Sequence, residues 1–408
     1  MSNTPCIELD EQSYIPPLSA EAGLNSVLEI RTRSDRTGHV TLDDGHVNTG
    51  FSKPAITYLD GDQGILRYRD IPIEQLAEQS TFVATAWLVI WGRQPTLEER
   101  QRFSALLTQH QMMHESLRNH FQGFPPNANP MAILSAMINA ISCYEPEVMH
   151  VKDGTTLENA AAHVISKVRT IAAATHRMYI GQPMAYPHPE YKYCENFLHM
   201  MFSIPYRNYV PDPEMARALN LFLMLHVVDH EQTYSTRTVR TVAASGANMF
   251  ASCAAGVCAL WGSLHGGASM AAVIEMLEFI RGSNMSIADY IQRVKAHAAP
   301  IRLMGFGHRI YKNFDPRAQL LKTAAGKMLA RMPCPDPLLD TAYELETVAL
   351  QDDYFAEHKL YPNADFYSAI ILRALGIPPN MFTVMRAIAR MPGWIAHWKD
   401  IHDELTEV

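Results

Sequence analysis

The chain has 408 residues, 48 % of them hydrophobic, with a formal net charge of −8 and a pI near 6.1. Two or three domains with large cores fit that length and apolar content, so general disorder is excluded. The acidic balance, with no Lys/Arg run, excludes general nucleic-acid binding. Six cysteines (Cys6, Cys143, Cys194, Cys253, Cys258, Cys334) are scattered without CxxC spacing, which fits reduced core thiols in a cytoplasm rather than a disulfide framework or zinc site. The start, MSNTPCIELDEQ, has early acids and no apolar segment, so no secretory signal is expected.

Residues 1–70 read as a small β-rich region suited to packing or assembly. Ser26–Ile30, Val40–Leu42 and Ile56–Leu59 are short apolar or alternating runs, and Asp44-Gly45 and Asp60-Gly61 are turn signals between them. From Pro72 the period becomes helical, and the first run ends at Gly92. Thr96 with Glu99 three residues on predicts a capping box. Helical patterning continues through Gln101–Gln122, Met131–Ser142, Thr156–Tyr179 and Ala216–His226, separated by Pro and Gly clusters. The expected class is mainly α.

Three clusters carry chemistry. The first, Thr241 to Ile274, lacks Asp, Glu, Lys and Arg and is rich in Ala, Gly and Ser. It predicts two buried helices, Asn248 to Trp261 and Ala268 onward, joined at a glycine-lined turn carrying His265; its polar turn favours this over a membrane span. A helix start disfavours an imidazolium, so His265 is expected to be neutral. It is either a core His bonded to a carbonyl or a hydrogen-bond donor to a developing oxyanion. The second cluster is MGFGHRIYKNFDPR, Met304 to Arg317. It reads as a solvated loop entering a helix, or as flexible backbone closing over an anion with His308, Arg309, Lys312 and Arg317. The third is KLYPNADFYS, Lys359 to Ser368, where Asp365 is either a helix N-cap or a carboxylate made more basic by desolvation.

Together, GSLHGGA, LMGFGHRIYKNFDPRA and LYPNADFYSAIIL, with HEQ at His230–Gln232 and GWIAHW at Gly393–Trp398, resemble the citrate synthase family in order and spacing. The likeness covers nearly the whole chain, and the N-terminal region is most similar to the Gram-negative bacterial subgroup. It implies a two-domain helical fold. The parts would be a β-rich region at 1–70, a large helical domain at 71–280 plus 382–408, and a small helical domain at 281–381 that closes over substrate. It implies a homodimer or higher homo-oligomer in the cytoplasm, acting on acetyl-CoA and a small anionic keto acid with no metal or redox cofactor. By the same resemblance Asp365 is the base, His265 the neutral donor and His308 the group that polarises the keto carbonyl. His230, His308, Arg317 and Arg390 would bind the keto acid, and Lys312 would assist CoA.

The chain departs from the family around the keto-acid pocket. Where the family has HADHEQNASTSTVR, this chain has VVDHEQTYSTRTVR. Val227 replaces a His, Thr233 an Asn, Tyr234 an Ala and Arg237 a Ser, while Arg386 stands where Phe is usual. The sequence stops at Val408, and the Arg of a family tail that reaches the neighbouring subunit's pocket is not expected to serve here. With the catalytic trio kept and cations added, the expected keto acid has an altered anionic end. Phosphonopyruvate, giving 2-phosphonomethylmalate in a phosphonate route, is the leading candidate, with Arg386, Arg237, Tyr234 and Thr233 as donors. The alternatives are an ordinary or secondary citrate synthase using oxaloacetate, a 2-methylcitrate-type use of propionyl-CoA, and a non-catalytic acyl-CoA-binding relative. In the subgroup's NADH site, a family Cys and Arg align with Tyr206 and His163 while Lys167 remains, so weak or no NADH inhibition is expected.

Overall fold

The computed structural model describes residues 55–406 apart from 208, 267–268, 284, 300, 309, 312–313 and 332–335, and the backbone of four short strands before residue 29. The Val40–Leu42 run and the Asp44-Gly45 turn lie outside the described residues. Seventeen α-helices and a small three-stranded sheet follow one another along the described chain, as the mainly α expectation requires. The first strands form two antiparallel pairs, Ile7–Leu9 with Gln12–Tyr14 and Leu18–Ser19 with Val27–Leu28. The sheet is β5 (Thr57–Asp60), β6 (Ile65–Tyr68) and β7 (Ile71–Pro72), with Thr57 opposite Tyr68. Asp60 makes the expected turn, its Oδ1 accepting from the Asp62 and Gln63 amides.

The capping box forms as predicted: the Glu99 amide donates to Thr96 Oγ1 and the Thr96 amide to Glu99. It opens a helix at Leu97–Gln109. Two predicted runs are cut. The run after Pro72 becomes Ile73–Gln79 and Phe82–Trp91, because Thr81 caps the second helix and Asn220 takes the Phe82 amide. The run Gln101–Gln122 breaks at His110–His114. There Thr170 donates to the Gln111 carbonyl and Lys167 to the Met112 carbonyl, so side chains of a neighbouring helix take bonds that the ladder would need. A further helix forms at Tyr193–Phe202, a stretch that the helical patterning does not cover.

Two long helices make the centre. Gly154–Tyr179 is buried almost throughout from Leu157 to Arg177, and Phe382–Thr406 is buried from Phe382 to Trp398. The second helix packs on the first and on Phe82–Trp91, Pro213–Leu225, Tyr234–Ala244 and Met249–Leu260. Around it, Pro316–Leu329, Ala364–Ala374 and Ser269–Gly282 pack on one another or on Pro213–Leu225. The uncharged stretch forms the predicted pair, Met249–Leu260 and Ser269–Gly282. Neither spans a bilayer, and among the described residues no helix is long and apolar enough to do so.

One contact fixes the central helix against the loop that follows Leu225. At Gly393 a Cβ would stand 2.5 Å from the Val227 carbonyl oxygen and 3.2 Å from Val228 Cα. Only a residue without a side chain permits that approach. Gly393→Ala is expected to destabilise the protein by about 1–3 kcal/mol, as overpacking against backbone does. Urea denaturation of the two proteins, compared at equal m, measures it.

Candidate active site

The loop after Leu225 is braced from both sides. Glu231 accepts from the Ile56 amide at 3.2 Å, the Thr57 amide at 3.1 Å and Thr57 Oγ1 at 2.7 Å. Tyr68 donates to the Leu225 carbonyl at 2.9 Å. From the other side Arg390, 4 % exposed, donates through Nε to the His226 carbonyl at 2.8 Å and ion-pairs with Asp229. Burial would raise the Asp229 carboxyl, but Arg390 and its histidine neighbours outweigh that and hold it well below the usual range. His230 lies beside this pair, its amide donating to Asp229 Oδ1 at 3.3 Å.

The glycine-rich loop enters the same cleft. Gly305 and Gly307 have φ of 77° and 74°, which glycine reaches without strain. The Gly307 amide donates to the Tyr361 carbonyl at 2.8 Å, the Asn363 amide to the Gly305 carbonyl at 2.9 Å, and Asn363 Nδ2 to the Gly307 carbonyl at 2.8 Å. His308 and Asp365 are thereby tied into one unit. Asp315 caps Pro316–Leu329 and grips Arg317 in two-point fashion, accepting from Nε at 3.0 Å and Nη2 at 2.9 Å. Burial works against Arg317's charge, but Asp315 outweighs it, and the Arg317 pKa is raised well above its ordinary value. Arg309 and Lys312 lie outside the described residues.

Asp365 is not the N-cap of its helix. Asn363 caps Ala364–Ala374, its Oδ1 accepting from the Asp365 and Phe366 amides, and this leaves the Asp365 carboxylate in the first turn. Its expected gain in basicity is also corrected. Burial raises the carboxyl, but Arg386, Ser269, His226 and Arg317 together bring its pKa below the ordinary value. Arg386, expected to reach the keto acid, ion-pairs with Asp365 and places Nη1 at 3.3 Å from Ser269 Oγ. Two of the other expected donors are engaged too. Arg237 donates to Gln232 at 3.3 Å, Thr233 Oγ1 bonds Thr236 Oγ1 at 3.1 Å, and Tyr234 stands 44 % exposed with its ring edge-on to His265.

The two histidines are neutral and present opposite edges. The Ser235 amide donates to His265 Nε2 at 3.2 Å. An N–H can only donate, so Nε2 carries a lone pair and the ring proton sits on Nδ1. At His308 the Ile310 and Tyr311 amides donate to Nδ1 at 3.1 and 3.2 Å, so the proton sits on Nε2. Burial lowers the His265 pKa to about 4, helped by Arg390 and Arg386 against the pull of Asp229. His308 is open to solvent on one side, yet the surrounding protein and Arg317 lower its pKa too.

Three partners were not read from the sequence as site residues. Asp229 and Asp315 are the counter-ions of Arg390 and Arg317. His226 is 1 % exposed and stands one position before Val227. Its Nδ1 lies 2.8 Å from the Phe222 carbonyl, and burial, then Arg386, lowers its pKa to about 3. Asp-Pro before a helix and the Asp-His pair were visible as signals. Nothing in the residue order showed which cation each carboxylate holds.

The folded protein keeps His265 neutral near pH 4 to 6.5, where the unfolded chain protonates it. Stability therefore falls as pH drops through that window. His265→Gln should flatten part of the slope in denaturation series between pH 7 and 4. Ring ¹⁵N spectra at pH 6.5 should place the protons on Nδ1 of His265 and Nε2 of His308.

Comparison with known proteins agrees with this geometry. A family model described as the citrate synthase C-terminal domain matches residues 45–406. Citrate synthase 1 of Mycobacterium tuberculosis is 49 % identical over 369 residues, covering 90 % of this chain and 85 % of that protein. The citrate synthase of Pyrobaculum aerophilum superposes with a TM-score of 0.78 at 29 % identity, covering 99 % of this chain and 92 % of that one. A ternary complex of carboxymethyl coenzyme A and oxaloacetate with citrate synthase from Thermoplasma acidophilum superposes with a TM-score of 0.78 at 26 % identity, covering 89 % and 93 %.

Proposed function

Because this chain belongs to the citrate synthase family, whose members are acyltransferases, we propose that it condenses acetyl-CoA with oxaloacetate and hydrolyses the thioester to release CoA. One observation supports the reading most: two neutral imidazoles, each with its donor edge set by backbone amides, share a cleft with the Asp365 carboxylate. The Asp365 carboxylate takes a proton from the acetyl methyl group. His265 Nδ1–H donates to the thioester oxygen as it gains enolate charge. The enol carbon attacks the keto carbon of oxaloacetate, whose oxygen is polarised by His308 Nε2–H and takes that proton as the alkoxide forms. Water then cleaves the thioester. Arg317 and Arg390 supply cations for the two carboxylates, with His230 beside them.

Oxaloacetate replaces phosphonopyruvate as the favoured keto acid. Two of the added donors that pointed to a phosphonate meet protein groups instead: Arg237 bonds Gln232, and Thr233 bonds Thr236. Two anchored guanidiniums fit two planar carboxylates better than a tetrahedral dianion. The oxaloacetate in the Thermoplasma acidophilum complex supports the same choice.

For CoA, a groove of about 690 Å³ adjoins the His308 loop, lined by Ile301, Arg302, Leu303, His297, Tyr354 and Leu360. Its mixture of an aromatic ring, aliphatic walls and a guanidinium suits a nucleotide end. The reading includes closure of residues 281–381 over substrate, which would exclude water, and assembly as a homo-oligomer.

In an assay of thiol release, oxaloacetate should exceed phosphonopyruvate in kcat/KM on the order of 100-fold or more, as expected when buried polar groups are left mispaired. Asp365→Ala should lower kcat by about 10²–10⁴, and His265→Ala by about 10²–10³. A phosphonopyruvate rate equal to that of oxaloacetate overturns the choice of keto acid.

Little inhibition by NADH is also expected. Lys167 and His163 converge on Glu145 at 2.8 and 2.6 Å, and Lys167 also donates to the Met112 carbonyl at 2.7 Å. Both basic groups are thus already occupied by the protein. An NADH titration of thiol release should be nearly flat, and strong saturable inhibition would refute this.

A further inference from the structure

Three guanidiniums face the cleft, and they are not held alike. Arg317 is gripped in two-point fashion by Asp315, and Arg390 is held by Asp229 and the His226 carbonyl. Arg386 is 6 % exposed and has a single carboxylate contact, through Nη2 to Asp365. Its other contact, Nη1 to Ser269 Oγ, is long at 3.3 Å, and its buried Nε has no partner among the described residues. Arg386 lies one helical turn before Arg390 in Phe382–Thr406, so the two share a face. The carboxylate that holds Arg386 is the proposed base itself.

Resting on the citrate synthase reading, we propose that Arg386 is a positioning residue that exchanges carboxylates. In the ligand-free protein it masks Asp365. The incoming keto acid draws the guanidinium onto its own carboxylate, and the base is freed only when the first substrate is in place. The keto acid can offer the planar fork two parallel bonds in place of one. Every charged or titratable neighbour of Asp365 on the packed elements favours the same sequence of events. Arg317 stays with Asp315, His226 is neutral, and His308 is tied to the same loop as Asp365. Once Arg386 leaves, the desolvation of Asp365 is no longer outweighed by its main cation, and its basicity rises when the acetyl group must be deprotonated.

The test is deuterium wash-in to the methyl group of acetyl-CoA in D₂O, read by mass spectrometry. It is run without keto acid and with malate, which carries two carboxylates but no electrophilic carbonyl. The variants are Arg386→Gln, Arg386→Phe and Arg386→Lys, each checked for folding by circular dichroism melts. Wild type should exchange slowly alone and faster with malate. Arg386→Gln and Arg386→Phe should exchange roughly 10-fold or more faster than wild type without keto acid, the equilibrium weight of one charge-assisted hydrogen bond. Their KM for oxaloacetate should rise, and Arg386→Lys should restore most of the dependence on malate. Folded Gln and Phe variants that exchange no faster than wild type overturn the masking role. Should the variants fail to fold, a wild type that exchanges equally with and without malate overturns it as well. A wild type that releases no CoA with oxaloacetate refutes the functional reading instead, which separates the two failures.

Discussion

Charge pairing in a largely desolvated cleft is the constraint on which the rest of this site depends. Arg317, Arg386 and Arg390 are brought close together inside the protein, where an unpaired charge is strongly destabilising. Each is matched by its own carboxylate, Asp315, Asp365 and Asp229, and each of those carboxyls is depressed below its ordinary pKa despite burial. The pairing settles the state of the histidines. With the carboxylates paired to the arginines, their pull toward an imidazolium is outweighed, and desolvation with the nearby guanidiniums lowers the pKa of His265 and His308. A neutral ring with its proton on a defined nitrogen is a hydrogen-bond donor that does not repel the cations needed for an anionic substrate.

The architecture serves that arrangement. Helix Phe382–Thr406 carries Arg386, Arg390 and Gly393 on consecutive turns, so one rigid element sets two of the cations and presses on the loop that bears Asp229 and His230. The small sheet has no chemistry of its own. It holds the same loop from the far side through Glu231 and Tyr68. The His265 turn is tied to Ser235, at the start of Tyr234–Ala244, which packs on both Met249–Leu260 and the central helix.

The sequence showed the fold class and the order of most helices, because these rest on local signals, while the proposed trio came from the family resemblance. Glycines mark positive φ at 305 and 307, Thr96 and Glu99 mark a helix start, and the lack of charge from 241 to 274 marks a buried pair. What it could not show depends on partners distant in the chain. The break at His110–His114 comes from Lys167 and Thr170 taking two carbonyls. Arg386 and Arg237 looked like spare donors for a phosphonate because a composition records a charge and not what holds it. Asp365 stands in the first turn of Ala364–Ala374 and not in a loop, and the sign of its shift turns on a residue 21 positions away.

The bonds from Gly307 to Tyr361 and from Asn363 to Gly305 and Gly307 make His308 and Asp365 travel as one piece, while His265 belongs with Ser235 on another. Under the proposed roles, alignment of three groups reduces to the relative placement of two bodies. Any closure that brings the base to the methyl group brings the carbonyl polariser with it. An enol could then hardly form without its electrophile being readied in the same movement. The loop-to-loop bonding thus works as a guard against waste: acetyl-CoA is not activated, and then lost to water, in a half-assembled cleft.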